Sequence, residues 1–216
     1  MEEQEKNLCS PCLSLFTCLD PNDLCPFCYQ ERERHEKRGG KCLVKSSALK
    51  QLVTVFESRG PQRMIARHYA GGRSYLSKSI AAYMSAYWID QGKPLPDCVV
   101  PLSLPWYEKR RLSGNPHSAL AENCSFFFAC PCVPILKHRI FKTEQTGGRC
   151  HFSYRPTTSS YSYHEWFKWV KKNRQSVEDQ NVLLIALDQG DLTALIEAAE
   201  CLQEEYPKSV SALTFI

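Results

Sequence analysis

With 216 residues the chain is long enough to bury a real core, as one main domain with room for a small accessory module. Its 43% hydrophobic and 23% charged residues are those of an ordinary soluble globular protein, and no apolar run approaches the roughly 18 residues of a membrane span. The net charge of +4 tolerates a nucleic-acid partner without implying one.

The chain opens MEEQEKN, acidic and polar, with no basic segment leading into an apolar one. No export signal is expected from it, and a cytoplasmic location is. Twelve cysteines is a high count for this length. In a reducing compartment, paired cysteines bind metal more often than they form disulfides. Cys9 and Cys12 form one CxxC pair, and Cys25 and Cys28 form another after a spacer of twelve residues. A CxxC turn sets two thiolates about one tetrahedral edge apart, so two such turns complete a four-sulfur shell. The spacing predicts one structural zinc ion held by Cys9, Cys12, Cys25 and Cys28. Cys18 and Cys42 are possible substitutes. A redox-active CxxC is disfavoured, because no strand precedes either pair in a βαβ context. The scattered thiols Cys42, Cys98, Cys124, Cys150 and Cys201 read as small hydrophobes.

After the cysteine pairs, 31–41 (ERERHEKRGGK) is a charged stretch ending in two glycines. It reads as a solvated helix or linker, or as a run presenting Arg32, Arg34, Lys37 and Arg38 to a nucleic acid. The boundary between a zinc module (1–40) and a main domain (41–216) is placed here. Ile80, Tyr83, Met84, Tyr87 and Trp88 recur at helical spacing and predict a helix over 77–89, ended by Gly92, Pro94 and Pro96. Cys98, Val99, Val100, Pro101 and Leu102 predict a buried strand. A basic segment follows at Lys109, Arg110 and Arg111, then the turn Gly114, Asn115, Pro116, able to start a helix through Leu120. The stretch 145–162 is expected to be a long loop. Trp166, Phe167, Trp169 and Val170 supply the apolar side of a helix predicted over 164–172. The continuous apolar run 182–187 predicts a strand covered on both faces. Asp188, Gln189 and Gly190 form a turn, and Asp191 caps a helix buried through Leu192, Leu195, Ile196, Ala199 and Leu202. A second β-like run over 209–216 completes a βαβ unit in a parallel sheet.

In this order the elements resemble the ComF family of competence-associated proteins, which join a four-cysteine zinc finger to a type I phosphoribosyltransferase-like domain. The likeness is carried first by the pairs Cys9/Cys12 and Cys25/Cys28. The run 99–105 (VVPLSLP) stands where the family has "VPVPL". Lys109, Arg110, Arg111, Gly114, Asn115, Leu120 and Ala121 echo "R..RGFNQ…LA". Gln145, Thr146 and Gly147 match the start of "QTGLS", and 182–185 begins "VLLVDDVYTTGAT". The resemblance implies an α/β fold, a type I phosphoribosyltransferase-like parallel sheet with helices on both faces, preceded by a small zinc module.

The departures from the family pattern fall on the ligand site. There, two adjacent acids after the strand hold the ribose hydroxyls of phosphoribosyl pyrophosphate, and a Thr/Gly loop wraps its 5′-phosphate. Here the acid positions fall on Ala186 and Leu187, and the Thr-Thr-Gly positions on Gly190, Asp191 and Leu192. A two-residue slip puts Asp188 in an acid role. The degenerate ligand loop is thus Asp188, Gly190, Asp191 and Thr193, with no catalytic residue assigned. The resemblance implies a non-catalytic factor in DNA uptake or handling, with Lys109, Arg110 and Arg111 as nucleic-acid candidates. Its partner would be single-stranded DNA or a DNA-uptake protein. The alternative is an active phosphoribosyltransferase with a remodelled site, which would need Mg²⁺.

Overall fold

The runs 98–102 and 182–187 are apolar at every position, which a strand tolerates only when both faces of its sheet are covered. The computed structural model describes residues 18–20, 22, 24–29, 42, 44, 47–57, 60–104, 109–110, 115–138, 167–169, 177–188 and 192–216. Strands β1 (Gln51–Thr54), β2 (Cys98–Pro101), β5 (Asn181–Ala186) and β6 (Ser209–Thr214) form one parallel sheet in the order β1-β6-β5-β2. Strands β3 (Leu136–His138) and β4 (Phe167–Trp169) pair antiparallel beside it. The helices are α1 (Gly60–Ala70), α2 (Ser77–Asp90), α3 (Pro116–Phe128) and α4 (Leu192–Gln203). This is the α/β architecture with a parallel sheet that the sequence predicts.

Alternation along β5 divides the core in two. Val182, Leu184 and Ala186 pack with Leu195, Ala198, Ala199 and Leu202 of α4. Leu183, Ile185 and Leu187 pack on the other face with Ala66 and Tyr69 of α1, Ile80, Met84 and Trp88 of α2, and Leu120 and Ala121 of α3. A slip of one residue in register would exchange these two sets, so the mutual fit of both faces fixes the pairing of Leu184 with Val100 and Ala212.

The predicted strand–helix–strand at the C-terminal end is present as β5, α4 and β6, with β5 and β6 parallel neighbours. The helix predicted over 77–89 is α2, ended by Gly92 at φ +61°, a left-handed conformation that suits glycine. Tyr83 of its predicted apolar face is exposed, and Tyr87 is half-buried with its hydroxyl donating to the Leu19 carbonyl at 2.8 Å. The turn predicted at Asn115 opens α3: the Asn115 side chain accepts from the His117 amide, and Pro116 occupies the first turn, where its missing N–H costs nothing.

One element differs in kind. The helix predicted over 164–172 is, over 167–169, strand β4. A short apolar run cannot be told from a strand by periodicity, and β3 supplies the ladder that settles it. The stretches 145–162 and 31–41 lie outside the described residues. The described N-terminal residues pack on the main sheet: the Leu19 amide donates to the Val55 carbonyl at 3.1 Å, and the Leu52 amide to that of Phe27 at 2.6 Å. Leu24 and Tyr29 are buried with the α1–α3 face, and Cys25 and Cys28 with the α4 face.

Candidate metal centre and cavity at the sheet edge

The short turn after Cys25 brings Cys28 back beside it, with the Tyr29 amide donating to the Cys25 carbonyl at 2.9 Å. Cys42 joins this pair from across the charged stretch. The three sulfurs lie within 4.8 Å of one another, Cys25 and Cys28 buried and Cys42 half-buried. The Cys25 and Cys42 sulfurs are 3.8 Å apart. Four sulfurs at about 2.3 Å from a tetrahedral ion stand about 3.8 Å from one another, so this spacing fits a thiolate-bound metal. Burial acts to raise the Cys25 thiol. Hydrogen bonds from the backbone of Phe27 and Cys28, and from the Cys28 and Cys42 thiols, outweigh it and bring the thiol below its ordinary value. The cluster could therefore hold a metal ion.

Of the cysteines predicted to bind zinc, Cys25 and Cys28 are in this cluster, and Cys9 and Cys12 lie outside the described residues. Cys42, grouped in sequence with the scattered thiols and named as a substitute ligand, is a member. Cys18 is exposed and stands outside the cluster. Cys98, Cys124 and Cys201 are buried as expected of small hydrophobes. Burial pushes the Cys98 and Cys124 thiols up to about 12, which keeps them protonated and inert.

In open parallel sheets, ligands bind beyond the carboxyl ends of the strands. A cavity of about 250 Å³ lies there, lined by Leu102 and Leu104 after β2, Leu187 and Asp188 after β5, and Ile216 after β6. Helices α1 and α3 complete it with Arg63, Ala66, Arg67, Ala70, Pro116 and His117. Ala186 and Leu187, where the family resemblance in the sequence would place the acids of a phosphoribosyl site, are both buried, at 0% and 6% exposure. Asp188 is exposed and faces the cavity, and Thr193 is exposed in the first turn of α4. Gly190 and Asp191 lie outside the described residues.

Sequence reasoning gave His117 no role, yet it is the buried polar residue of this cavity. Its Nδ1 lies 3.0 Å from the Leu102 carbonyl, which can only accept, so Nδ1 carries the proton. The Asn115 amide donates to the same carbonyl at 3.2 Å. The signal available in the sequence was Asn-Pro-His at a helix start. Burial holds the imidazole down to about 4, from an ordinary 6.5, against the Leu102 carbonyl and Asp188, which favour the cation. Between those values the unfolded chain binds a proton that the folded one does not, so stability falls as pH falls through this window. His117 is expected to cost the protein about 2 kcal/mol between pH 7 and pH 5. Urea midpoints of the wild type and His117→Gln at both pH values check this: the variant should be less stable at pH 7 but lose less on acidification.

The basic segment predicted to meet nucleic acid is only partly a surface feature. Lys109 is half-buried and donates to the Ser103 hydroxyl at 3.2 Å. Burial, with Lys137 nearby, lowers its pKa. Arg110 is exposed, and Arg111 lies outside the described residues. Arg63, Arg67 and Arg73 add exposed cations along α1 and the turn after it.

No family model matches this chain, and no curated protein matches it. Among solved structures it is similar to the hypoxanthine-guanine phosphoribosyl transferase of L. donovani, at 12% sequence identity and a TM-score of 0.33. The match covers 71% of this chain and 71% of that one. No residue role carries over from it.

Proposed function

We propose that this chain is a non-catalytic protein of the ComF-like class, with a type I phosphoribosyltransferase-like fold that acts in DNA uptake or DNA handling in the cytoplasm. The observation that carries the non-catalytic reading is the end of β5, where Ala186 and Leu187 are drawn into the two halves of the core. A phosphoribosyl site needs side-chain acceptors for two ribose hydroxyls at those positions, and neither residue has one. In this reading the metal is zinc. Cys25 and Cys28 hold it, with the remaining thiolates drawn from Cys9, Cys12 and Cys42, and a closed sulfur shell gives it a structural role.

The DNA reading is supported by the exposed arginines at 63, 67, 73 and 110, together with the order of motifs in the sequence. Each cation that meets a phosphate releases a counterion, so binding to single-stranded DNA should weaken steeply with salt and ignore sequence. Replacing Arg110 and Arg111 together by alanine should weaken every oligonucleotide alike and reduce the salt slope by roughly one to two units. Fluorescence anisotropy at several salt concentrations reads this directly, and affinity indifferent to salt would rule the mechanism out.

A second reading, a working phosphoribosyltransferase using Mg²⁺, is favoured by one observation. Asp188 lines the cavity and is placed to act as a displaced acid. Asp188→Ala separates the two readings, because only the enzyme reading gives that carboxylate a ligand to hold.

A further inference from the structure

Arg63 and Arg67 stand four residues apart on α1, on one face of the helix, where like charges repel. The helix sequence, GPQRMIARHYA, has no acidic residue to offset them. Both side chains are exposed and both line the cavity. Leu102, Leu104, Leu187 and Ile216, all buried, line it as well and give it an apolar surface. His117 is neutral there, because burial depresses its basicity. Among the described lining side chains, Asp188 is the one acid beside the two arginines.

Guanidinium groups meet carboxylates and phosphates through paired N–H donors, and an apolar wall rewards an apolar body. The volume, about 250 Å³, is below the roughly 300–1,000 Å³ of pockets for drug-sized ligands, so the occupant is small. A monoanion suits two guanidinium groups with one acid beside them, and a dianion would meet Asp188 at a greater disadvantage. We infer that this cavity binds a small organic carboxylate, its head held by Arg63 and Arg67 and its aryl or short alkyl body lying against Leu102, Leu104, Leu187 and Ile216. The site shares Arg63 and Arg67 with the DNA reading but not Arg73 and Arg110, so the loss of one activity does not entail the loss of the other.

Calorimetric titration of the full chain with benzoate, benzamide, phenyl phosphate and inorganic phosphate tests the inference. Benzoate should bind saturably, with benzamide, phenyl phosphate and inorganic phosphate each weaker by about tenfold or more. The double variant Arg63→Gln/Arg67→Gln should lose benzoate binding by about tenfold or more, with a melting temperature unchanged because both side chains are exposed. Asp188→Asn, which removes the opposing charge without touching α1, should tighten benzoate by roughly threefold. No saturable benzoate binding, equal binding of benzamide, tighter binding of phenyl phosphate, or benzoate binding unchanged in either variant would overturn the inference.

Discussion

If the proposed thiolate site holds a metal, Cys28→Ser is expected to lose most of it and to lower stability by at least about 4 kcal/mol. That corresponds to a fall in melting temperature of roughly 10 °C for a chain of this size. The effect should be global, because Cys25 and Cys28 are packed in the same core as Leu52 of β1, Leu184 of β5 and Leu195 of α4. Removing Cys28 leaves the buried Cys25 and the half-buried Cys42 drawn together with one ligand missing. Cys25→Ser and Cys42→Ser should behave alike, while Cys18→Ser, exposed and outside the cluster, should keep its metal. Metal analysis beside thermal melts of the four variants checks the assignment. A wild type that carries no metal, or a Cys42→Ser protein that keeps a full complement, would show that these thiols are only neighbours.

The parts of the fold that could be read from the sequence are those whose pattern is strong and local. The run 182–187 is apolar at every position because both faces of β5 are covered, and the helical repeat of Ile80, Met84 and Trp88 is the buried stripe of α2. Asn115 and Pro116 announce α3 through capping chemistry alone. Helix α1 gave no such signal. Its buried stripe is Gln62, Ala66 and Tyr69, a polar residue, a small one and one large ring, so apolar periodicity is almost absent. Strand β4 has the reverse difficulty: its aromatic residues suit a helix face as well as a ladder, and only pairing with β3 decides.

The candidate sites were legible to different depths for similar reasons. A CxxC pair states its chemistry in four residues, so Cys25 and Cys28 are legible directly, whereas Cys42 has no second cysteine nearby and could be named from sequence only as a substitute ligand. The end of β5 was located because an apolar strand followed by a turn and a helix is a local pattern. What faces it was not, since Arg63, Arg67 and His117 arrive from α1 and α3, far away in sequence.

The proposal that the carboxyl edge of this sheet does not hold a phosphoribosyl group rests on an inventory of charges and acceptors. Phosphoribosyl pyrophosphate requires acceptors for two ribose hydroxyls, donors for a 5′-phosphate and, as a rule, a divalent ion beside the pyrophosphate. Ala186 and Leu187 are buried apolar residues where the acids would stand. The cavity beside them offers Arg63 and Arg67 as phosphate donors but, among its described lining side chains, only Asp188 as an anionic acceptor for two ribose hydroxyls. Asp188 adds a negative charge facing any phosphate that enters. Calorimetric titration of the purified full chain with phosphoribosyl pyrophosphate, with and without Mg²⁺, tests this most directly. The account predicts no saturable heat at ligand concentrations up to about the millimolar range, where binding would be worth only about 4 kcal/mol. Saturable, Mg²⁺-dependent binding that Asp188→Ala abolishes would contradict it, and would show that the acid role had moved two residues along the chain to a working site.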